Sequence, residues 1–530
     1  MSINYGKILS GRDTPQSQPL PDQNQVRNSA GGYVWEVDDW TQLDRFLVLG
    51  SEGGSYYASQ RELTLDNAQA VKRCLAADGV RTVDRVVEIS RSGRAPKNDP
   101  ATFVLALAAK TGEEATRQRA FAALPEVCRT GTHLMRFADY CEAFGGWGRG
   151  MRRAVAGWYN DKPADKLAYQ LVKYQRRDGW SHRDLLRLTH PKAGTPAHDQ
   201  LFRWATRGEL VADADGALAM LEAFEQAKRA TTASEIVRLI EQVALPREAV
   251  PTRWLTHAKV WEALLVKMPM TAMIRNLAVM TRVGLLASMS EATRTVVSRL
   301  ESREALRRAR VHPIAVLAAL MTYKAGRGAR GQHTWTPVGK IVDALDRGFY
   351  NSFGAVQPAG KRTLLALDVS GSMGWGTIAG IPGLTPRVAS AAMALVTAAT
   401  EPDYTVVAFS TSLRTLDISP RQRLDAVLRR TAKLPFGGTD CAQPMLWAQK
   451  HKVPVETFVV YTDSETWYGK VHPAKALERY RHTMGIPAKL IVVGMVSNGF
   501  SIADPNDTGM LDVVGFDTAA PNLMSDFARA

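Results

Sequence analysis

Cysteine is scarce. Cys74, Cys128, Cys141 and Cys441 stand far apart among 530 residues, with no Cys-x-x-Cys pair. That spacing argues against both a disulfide framework and a zinc site. The amino terminus has no apolar h-region, and no run is long and apolar enough to span a bilayer. A cytoplasmic protein without a membrane anchor is expected. Strand-like alternation is nearly missing from the first two-thirds of the chain, and so is an excess of acid. Residues 1–360 carry 50 Lys/Arg against 37 Asp/Glu, while 361–530 carry 17 against 15. The net charge of +15 therefore belongs to the N-terminal two-thirds. Such a surface suits a polyanion, whether RNA, DNA or an anionic membrane face.

What fills that region is helical patterning. Residues 1–30, rich in Pro, Gln, Asn and Ser, predict an extended arm. Residues 31–358 predict many moderate helices joined by short Gly/Pro/Asp turns, among them Asp66–Ala77, Val83–Ser90, Pro100–Lys110, Gly131–Phe144 and Ala164–Arg176. They outnumber what one bundle core can hold. Stacked antiparallel pairs, a HEAT-type solenoid, are the expected architecture, although no clean sequence period marks the repeat.

Residues 359–530 read differently. The apolar run Leu364–Leu367 ends in Asp368, followed by Ser370 and Ser372 in a turn containing Gly371. This sets one carboxylate and two hydroxyls at the carboxyl end of a buried strand, where open α/β sheets bind ligands. Alone, Asp-x-Ser-x-Ser is ordinarily a strand cap and turn. Downstream, however, Pro435–Asp440 is a glycine loop that offers Thr439, and the strand Thr457–Thr462 ends in Asp463. Three strand-to-helix corners thus present hard oxygen ligands, suited to Mg²⁺ or Mn²⁺. The constellation resembles the metal-ion-dependent adhesion site of a von Willebrand factor A domain, an α/β doubly wound, Rossmann-like fold. The resemblance implies that Ser370, Ser372 and Thr439 touch one divalent cation, with Ca²⁺ an alternative occupant, and that Asp368 and Asp463 hold its waters.

A second cluster lies in the helical region. Lys173, Arg176 and Arg177 have the i, i+3, i+4 spacing of one helical face. Ser181 can cap the next helix, placing His182 and Arg183 at its amino end, where free N–H groups favour phosphate. Arg149, Arg152 and Arg153 add charge, and Trp147, Tyr174 and Trp180 are interleaved. RNA modules combine phosphate grips with stacking rings in this way. The plainer alternative is a tryptophan core, a solvated basic face and a histidine that caps or packs.

Several longer stretches, Gly50–Tyr57, Gly146–Arg149, Asp178–Leu188, Met268–Leu277, Arg310–Pro313, Ile486–Met495 and Ile502–Asp507, are similar to the TROVE module of the Ro autoantigen family, in its bacterial form. The resemblance covers nearly the whole chain. It implies a ring of helical repeats closed by a von Willebrand A domain, and a role in RNA quality control and stress response. The outer surface would bind Y RNA, with His182 as the family's implicated histidine. The ring hole would admit single-stranded 3′ ends of misfolded RNAs such as ribosomal RNA precursors, with Arg275, Arg282, Lys324 and Arg327 as candidates for its lining. It further implies a monomer that assembles on RNA and presents it to a 3′-to-5′ exoribonuclease such as polynucleotide phosphorylase.

Catalysis by the chain itself is not expected. A two-metal hydrolase wants more converging carboxylates than Asp368, Asp463 and Glu465 supply. Gly50–Tyr57 lacks the Gly-Lys-Ser/Thr ending of a phosphate loop. The alternative function is a protein-interaction scaffold in which the A-domain metal takes an acidic side chain of a partner.

Overall fold

The computed structural model describes residues 13–530 apart from 22, 53, 211–217, 329–331, 354–355, 420–421, 433 and 435–436. The chain forms two compact units, one of Met1–Ala70 with Ala355–Ala530, the other of Val71–Gly354. These units do not follow the sequence boundary at 30/31, because the segment before Ala70 packs with the carboxyl-terminal part. The first twelve residues of the expected arm lie outside the described residues, as do Gly53, Pro435 and Phe436 of the two glycine-rich loops.

The first unit is built on a six-stranded sheet in the order Met510–Val514, Lys489–Gly494, Thr457–Thr462, Thr363–Asp368, Tyr404–Phe409, Leu413–Leu416. All neighbours are parallel except the last pair. Every residue of Thr363–Asp368 and Thr457–Thr462 is buried, as parallel strands covered on both faces must be. That explains why these strands read as unbroken apolar runs instead of alternating ones. A smaller antiparallel sheet joins Val26–Arg27, Tyr33–Glu36 and Phe500–Ser501. It seats Trp35, 3% exposed, in a small apolar cluster with Leu20 and Ala474.

The second unit is helical and begins within the element Gln60–Ser92. The two helices expected at Asp66–Ala77 and Val83–Ser90 are one element, Gln60–Ser92, interrupted at Asp78 by an extended backbone (φ −157°, ψ 91°). A helix at Glu114–Val127 had no clear sequence signature, since its apolar residues are small and scattered and Pro125 sits in its last turn. The array returns on itself. The His312 side chain accepts from the Ile314 amide at 3.1 Å, which leaves its Nε2–H to donate to the Arg94 carbonyl at 2.8 Å. Residues 218 apart in sequence are thereby joined, and beside them Gly93 lies against Arg310. No described helix is long and apolar enough to cross a membrane. The four cysteines are buried, separate thiols.

Candidate metal centre and nucleic-acid interface

Three loops at the carboxyl edge of the large sheet meet in a buried polar knot. Asp368 closes the central strand; its Oδ1 accepts from the Ser370 amide at 2.9 Å and its Oδ2 from the Thr462 hydroxyl at 2.7 Å. The hydroxyls of Ser370 and Ser372 are 3.1 Å apart. Asp463 follows the neighbouring strand, accepts from the Glu465 amide at 3.1 Å, and takes its carbonyl to Asn498 at 2.8 Å. The third loop is tied in through Thr439, whose carbonyl accepts from the amides of Trp467 and Tyr468, both at 3.0 Å. Next to it the Cys441 amide donates to Thr466 at 3.1 Å. The structure thus gathers Asp368, Ser370, Ser372, Thr439 and Asp463 at one sheet edge, each no more than 5% exposed.

The electrostatics of this knot are unbalanced. Burial raises the carboxyl of Asp368, with Ser370, Thr462 and Arg387 opposing. Burial, then the nearby Asp368 and Glu465, push Asp463 up to about 8. Burial also raises Glu465 and Asp440. Arg387 donates to the carbonyls of Val369 and Ser370 at 2.8 and 2.9 Å. Buried carboxylates with too little positive charge, beside hydroxyls that can turn their lone pairs inward, fit a hard divalent cation. Among the described residues no three His, Cys, Asp or Glu side chains cluster as a metal site. The donors here are chiefly hydroxyls.

Sequence reasoning missed the collar of this site. Gln16 is fully buried, donating to Asp440 and to the Val471 carbonyl at 2.7 Å each and accepting from Thr466. Asn28 donates to the Thr466 carbonyl at 2.8 Å. Gly32 packs so tightly on that carbonyl that no Cβ would fit. Tyr57 has its phenol raised by burial and by Asp463, Glu465 and Asp368, which places it beside the acids. Tyr56 packs on Trp375 with ring centroids 6.1 Å apart. No local pattern announces these contacts, since each spans hundreds of residues.

In the helical unit the expected basic face is corrected. The helix Ala164–Lys173 stops at Lys173, and Arg176–Arg177 pair with Trp180–Ser181 as an antiparallel hairpin. Lys173, Arg176 and Arg177 therefore do not share a helical face. Asp178 and Gly179 both have positive φ (49° and 81°), the geometry of a two-residue primed turn, and Asp-Gly is its sequence signal. Arg136 pins the turn through Asp178 at 2.9 Å and also pairs with Asp99. Ser181 caps the helix His182–Thr189 as expected, in a capping box with Asp184.

His182 is buried in this structure and not at the surface of the basic face. It is 4% exposed, its Nδ1 lies 2.9 Å from the Tyr159 hydroxyl, and its ring stacks on Trp158 with centroids 6.4 Å apart. Burial lowers its pKa to about 4, with the Gln170 and Tyr174 carbonyls opposing, so the ring is neutral near pH 7. The ring thus packs beneath the surface, supporting the hairpin and its helix. By contrast Arg149, Arg152, Arg153, Arg176, Arg177 and Arg183 are exposed, and Lys173 is half-buried against Tyr169 and Tyr174. Arg177 pairs with Asp178 at 3.4 Å; the other five arginines have no carboxylate partner among the described residues. Trp147 and Trp180, both partly exposed, pack ring to ring at 5.6 Å. Elsewhere, Arg275, Arg282, Lys324 and Arg327 are exposed. A 2.8 Å bond between Thr281 and Tyr323 brings together the helix ends that carry Arg282 and Lys324.

A helical array that returns on itself and an A-type α/β domain with a hydroxyl-rich loop cluster define a two-part binding protein of the TROVE and von Willebrand A class. Residues 26–321 match the TROVE domain and residues 362–528 the Ro60 vWA domain, and the chain belongs to the Ro family. It is 46% identical over 528 residues to the RNA-binding protein RO60 of Deinococcus radiodurans, covering 99% of each chain. It is 38% identical to the RNA-binding protein RO60 of Caenorhabditis elegans, covering 97% of this chain and 91% of that one. The crystal structure of the Deinococcus radiodurans RO (RSR) protein superposes with a TM-score of 0.71 at 47% identity, over 93% of this chain and 99% of that one.

Proposed function

We propose that this protein binds structured non-coding RNA through the helical unit and serves RNA quality control. The observation that carries this reading is the exposed group of Arg149, Arg152, Arg153, Arg176 and Arg183, without carboxylate partners among the described residues, near the paired rings of Trp147 and Trp180. Unpaired guanidiniums grip phosphates, and partly exposed indoles stack on unpaired bases. The names of both relatives support it. Y RNA is the proposed ligand of this face. Single-stranded 3′ ends of misfolded RNAs would meet Arg275, Arg282, Lys324 and Arg327. Presentation to a 3′-to-5′ exoribonuclease such as polynucleotide phosphorylase would follow, the chain acting as adaptor and not as nuclease. His182 supports this face from beneath.

The A domain would hold one Mg²⁺ or Mn²⁺ through Ser370, Ser372 and Thr439, with Asp368 and Asp463 ordering its waters. Such an ion would offer a position to an oxygen of a protein partner. The exposure of Tyr56, Trp375, Trp467 and Tyr468, 40–65% each, favours this second role for the A domain. The deciding experiment measures binding of a labelled Y-type RNA across a salt series, with and without EDTA, for wild type and Arg176→Ala/Arg183→Ala. Steep salt dependence, indifference to EDTA and weakening in the variant support RNA capture by the helical face. Weak, salt-insensitive binding equal in both proteins overturns it.

A further inference from the structure

The glycine-rich segment 50–57 is tied to two loops of the metal centre. The Gly50 carbonyl accepts from the Ser497 hydroxyl at 2.7 Å, and the next residue, Asn498, holds the Asp463 carbonyl. Farther along, the Glu52 carbonyl accepts from the Thr377 hydroxyl at 3.4 Å. Gly376 packs so closely on the segment that a Cβ there would lie 2.7 Å from the Gly54 carbonyl. Both contacts are with the loop that follows Ser372. A turn comes next, in which the Ser55 amide donates to the Ala58 carbonyl at 2.8 Å and the Ala58 amide to the Ser55 hydroxyl at 3.1 Å. Inside it the two tyrosines part. Tyr56 is exposed and packs on Trp375, whereas Tyr57 is half-buried beside Asp463, Glu465 and Asp368. The Tyr57 hydroxyl makes no hydrogen bond among the described residues. A phenylalanine would fill the same space without partly desolvating a polar group that nothing answers.

We infer that Tyr57 is a positioning residue of the metal centre, its hydroxyl donating to the oxygen that a bound divalent cation carries on its open side, a water or an oxygen of a partner. This rests on the metal reading above. Ionised carboxylates only accept hydrogen bonds, and a hydroxyl that turns its lone pairs to a cation has one proton to give. The centre is therefore rich in acceptors. A phenol fixed beside it supplies a donor that does not compete for the cation, and such outer partners orient what a metal holds. That donor comes from the amino-terminal part of the chain, so the centre is whole only when segment 50–57 is seated on it.

The test uses the full chain with Mg²⁺ alone as the probe. Calorimetry compares Mg²⁺ binding by wild type and Tyr57→Phe, a change that keeps the ring and removes only the hydroxyl. In a second measurement 3-fluorotyrosine replaces Tyr57 alone, and its fluorine resonance is followed as Mg²⁺ is added. This second readout keeps the folded chain and its phenol, so it holds even where Tyr57→Phe disturbs folding. We expect Tyr57→Phe to weaken Mg²⁺ binding threefold or more. We also expect the fluorine signal to shift saturably with the same dissociation constant, and to stay still in Ser370→Ala/Ser372→Ala. Equal Mg²⁺ affinity in wild type and Tyr57→Phe, or a fluorine signal that does not move while calorimetry shows Mg²⁺ binding, overturns the role of Tyr57 and leaves the metal reading standing. No Mg²⁺ binding by wild type removes the metal reading, and this inference with it.

Discussion

Arg45 and Asp512, 467 residues apart, form a buried ion pair in which one guanidinium nitrogen donates to both carboxylate oxygens at 2.7 Å. The other terminal nitrogen of Arg45 donates to the carbonyls of Asn498 and Phe500 at 2.8 Å each. Arg45 is fully buried and the Asp512 side chain is 13% exposed. The pair sutures the helix Asp39–Leu49 to the edge strand Met510–Val514.

Removing one partner strands the other charge in the interior, a loss of about 3–5 kcal/mol. Arg45→Met should therefore lower the denaturant midpoint of the A-domain unit sharply. Arg45→Met/Asp512→Asn should recover part of that loss. A single variant as stable as wild type in tryptophan-monitored unfolding would contradict the geometry.

RNA affinity should be salt-controlled. Each arginine that neutralises a phosphate contributes roughly one to the slope of log K against log salt. Arg176→Ala and Arg183→Ala should each flatten the slope by about that amount, with unfolding midpoints unchanged because both side chains are exposed. An unaltered slope in filter binding across a salt series would remove those residues from the interface.

His182 should behave oppositely. His182→Ala empties a buried site against Trp158 and Tyr159, so stability falls first and RNA affinity follows through the displaced hairpin. Thermal unfolding and RNA binding measured on the same samples separate this from a direct contact, which would cost affinity alone.

Acid should loosen the helical unit. His182 and His133 are both held down to about 4 by burial. A depressed folded value means that the stabilisation is whole above the unfolded pKa of about 6.5 and is lost as pH falls toward 4, at most about 3 kcal/mol per histidine. Unfolding midpoints of the helical unit should drop across that window, and His182→Gln should flatten the drop. A profile level from pH 7 to 4.5 would contradict the burial.

Divalent metal should stabilise the A-domain unit. An ion bound only by the folded state adds about 2.7 kcal/mol at a hundredfold excess over its dissociation constant. Mg²⁺ or Mn²⁺ should raise the midpoint of wild type and leave Ser370→Ala/Ser372→Ala unmoved; an equal shift in both would place the ion elsewhere.

What was legible in the chain was what is local. Asp368, Ser370 and Ser372 lie within five residues, so strand polarity alone puts them at one sheet edge, and the cap at Ser181 is a four-residue pattern completed by Asp184. The hairpin at Arg176–Ser181 was also local, but the helical spacing of Lys173, Arg176 and Arg177 concealed the Asp-Gly turn that follows them. Burial of His182 was illegible because the ring is enclosed by Trp158, Tyr159 and Gly131 from other elements. Gln16 and Arg45 find their partners more than 400 residues away, where no periodicity reaches.

Because Met1–Ala70 and Ala355–Ala530 complete one unit, vectorial synthesis imposes an order on this chain. The opening segment leaves the ribosome long before the strands that receive it exist. The helical unit, contiguous from Val71 to Gly354, can finish folding meanwhile. Gln16, Asn28, Trp35 and Arg45 must wait in water until the residues that receive them, hundreds of positions later, have been made. Nascent chains stalled before residue 510 should therefore carry a folded helical unit and a protease-sensitive leader, awaiting the strand Met510–Val514 that brings Asp512 to Arg45.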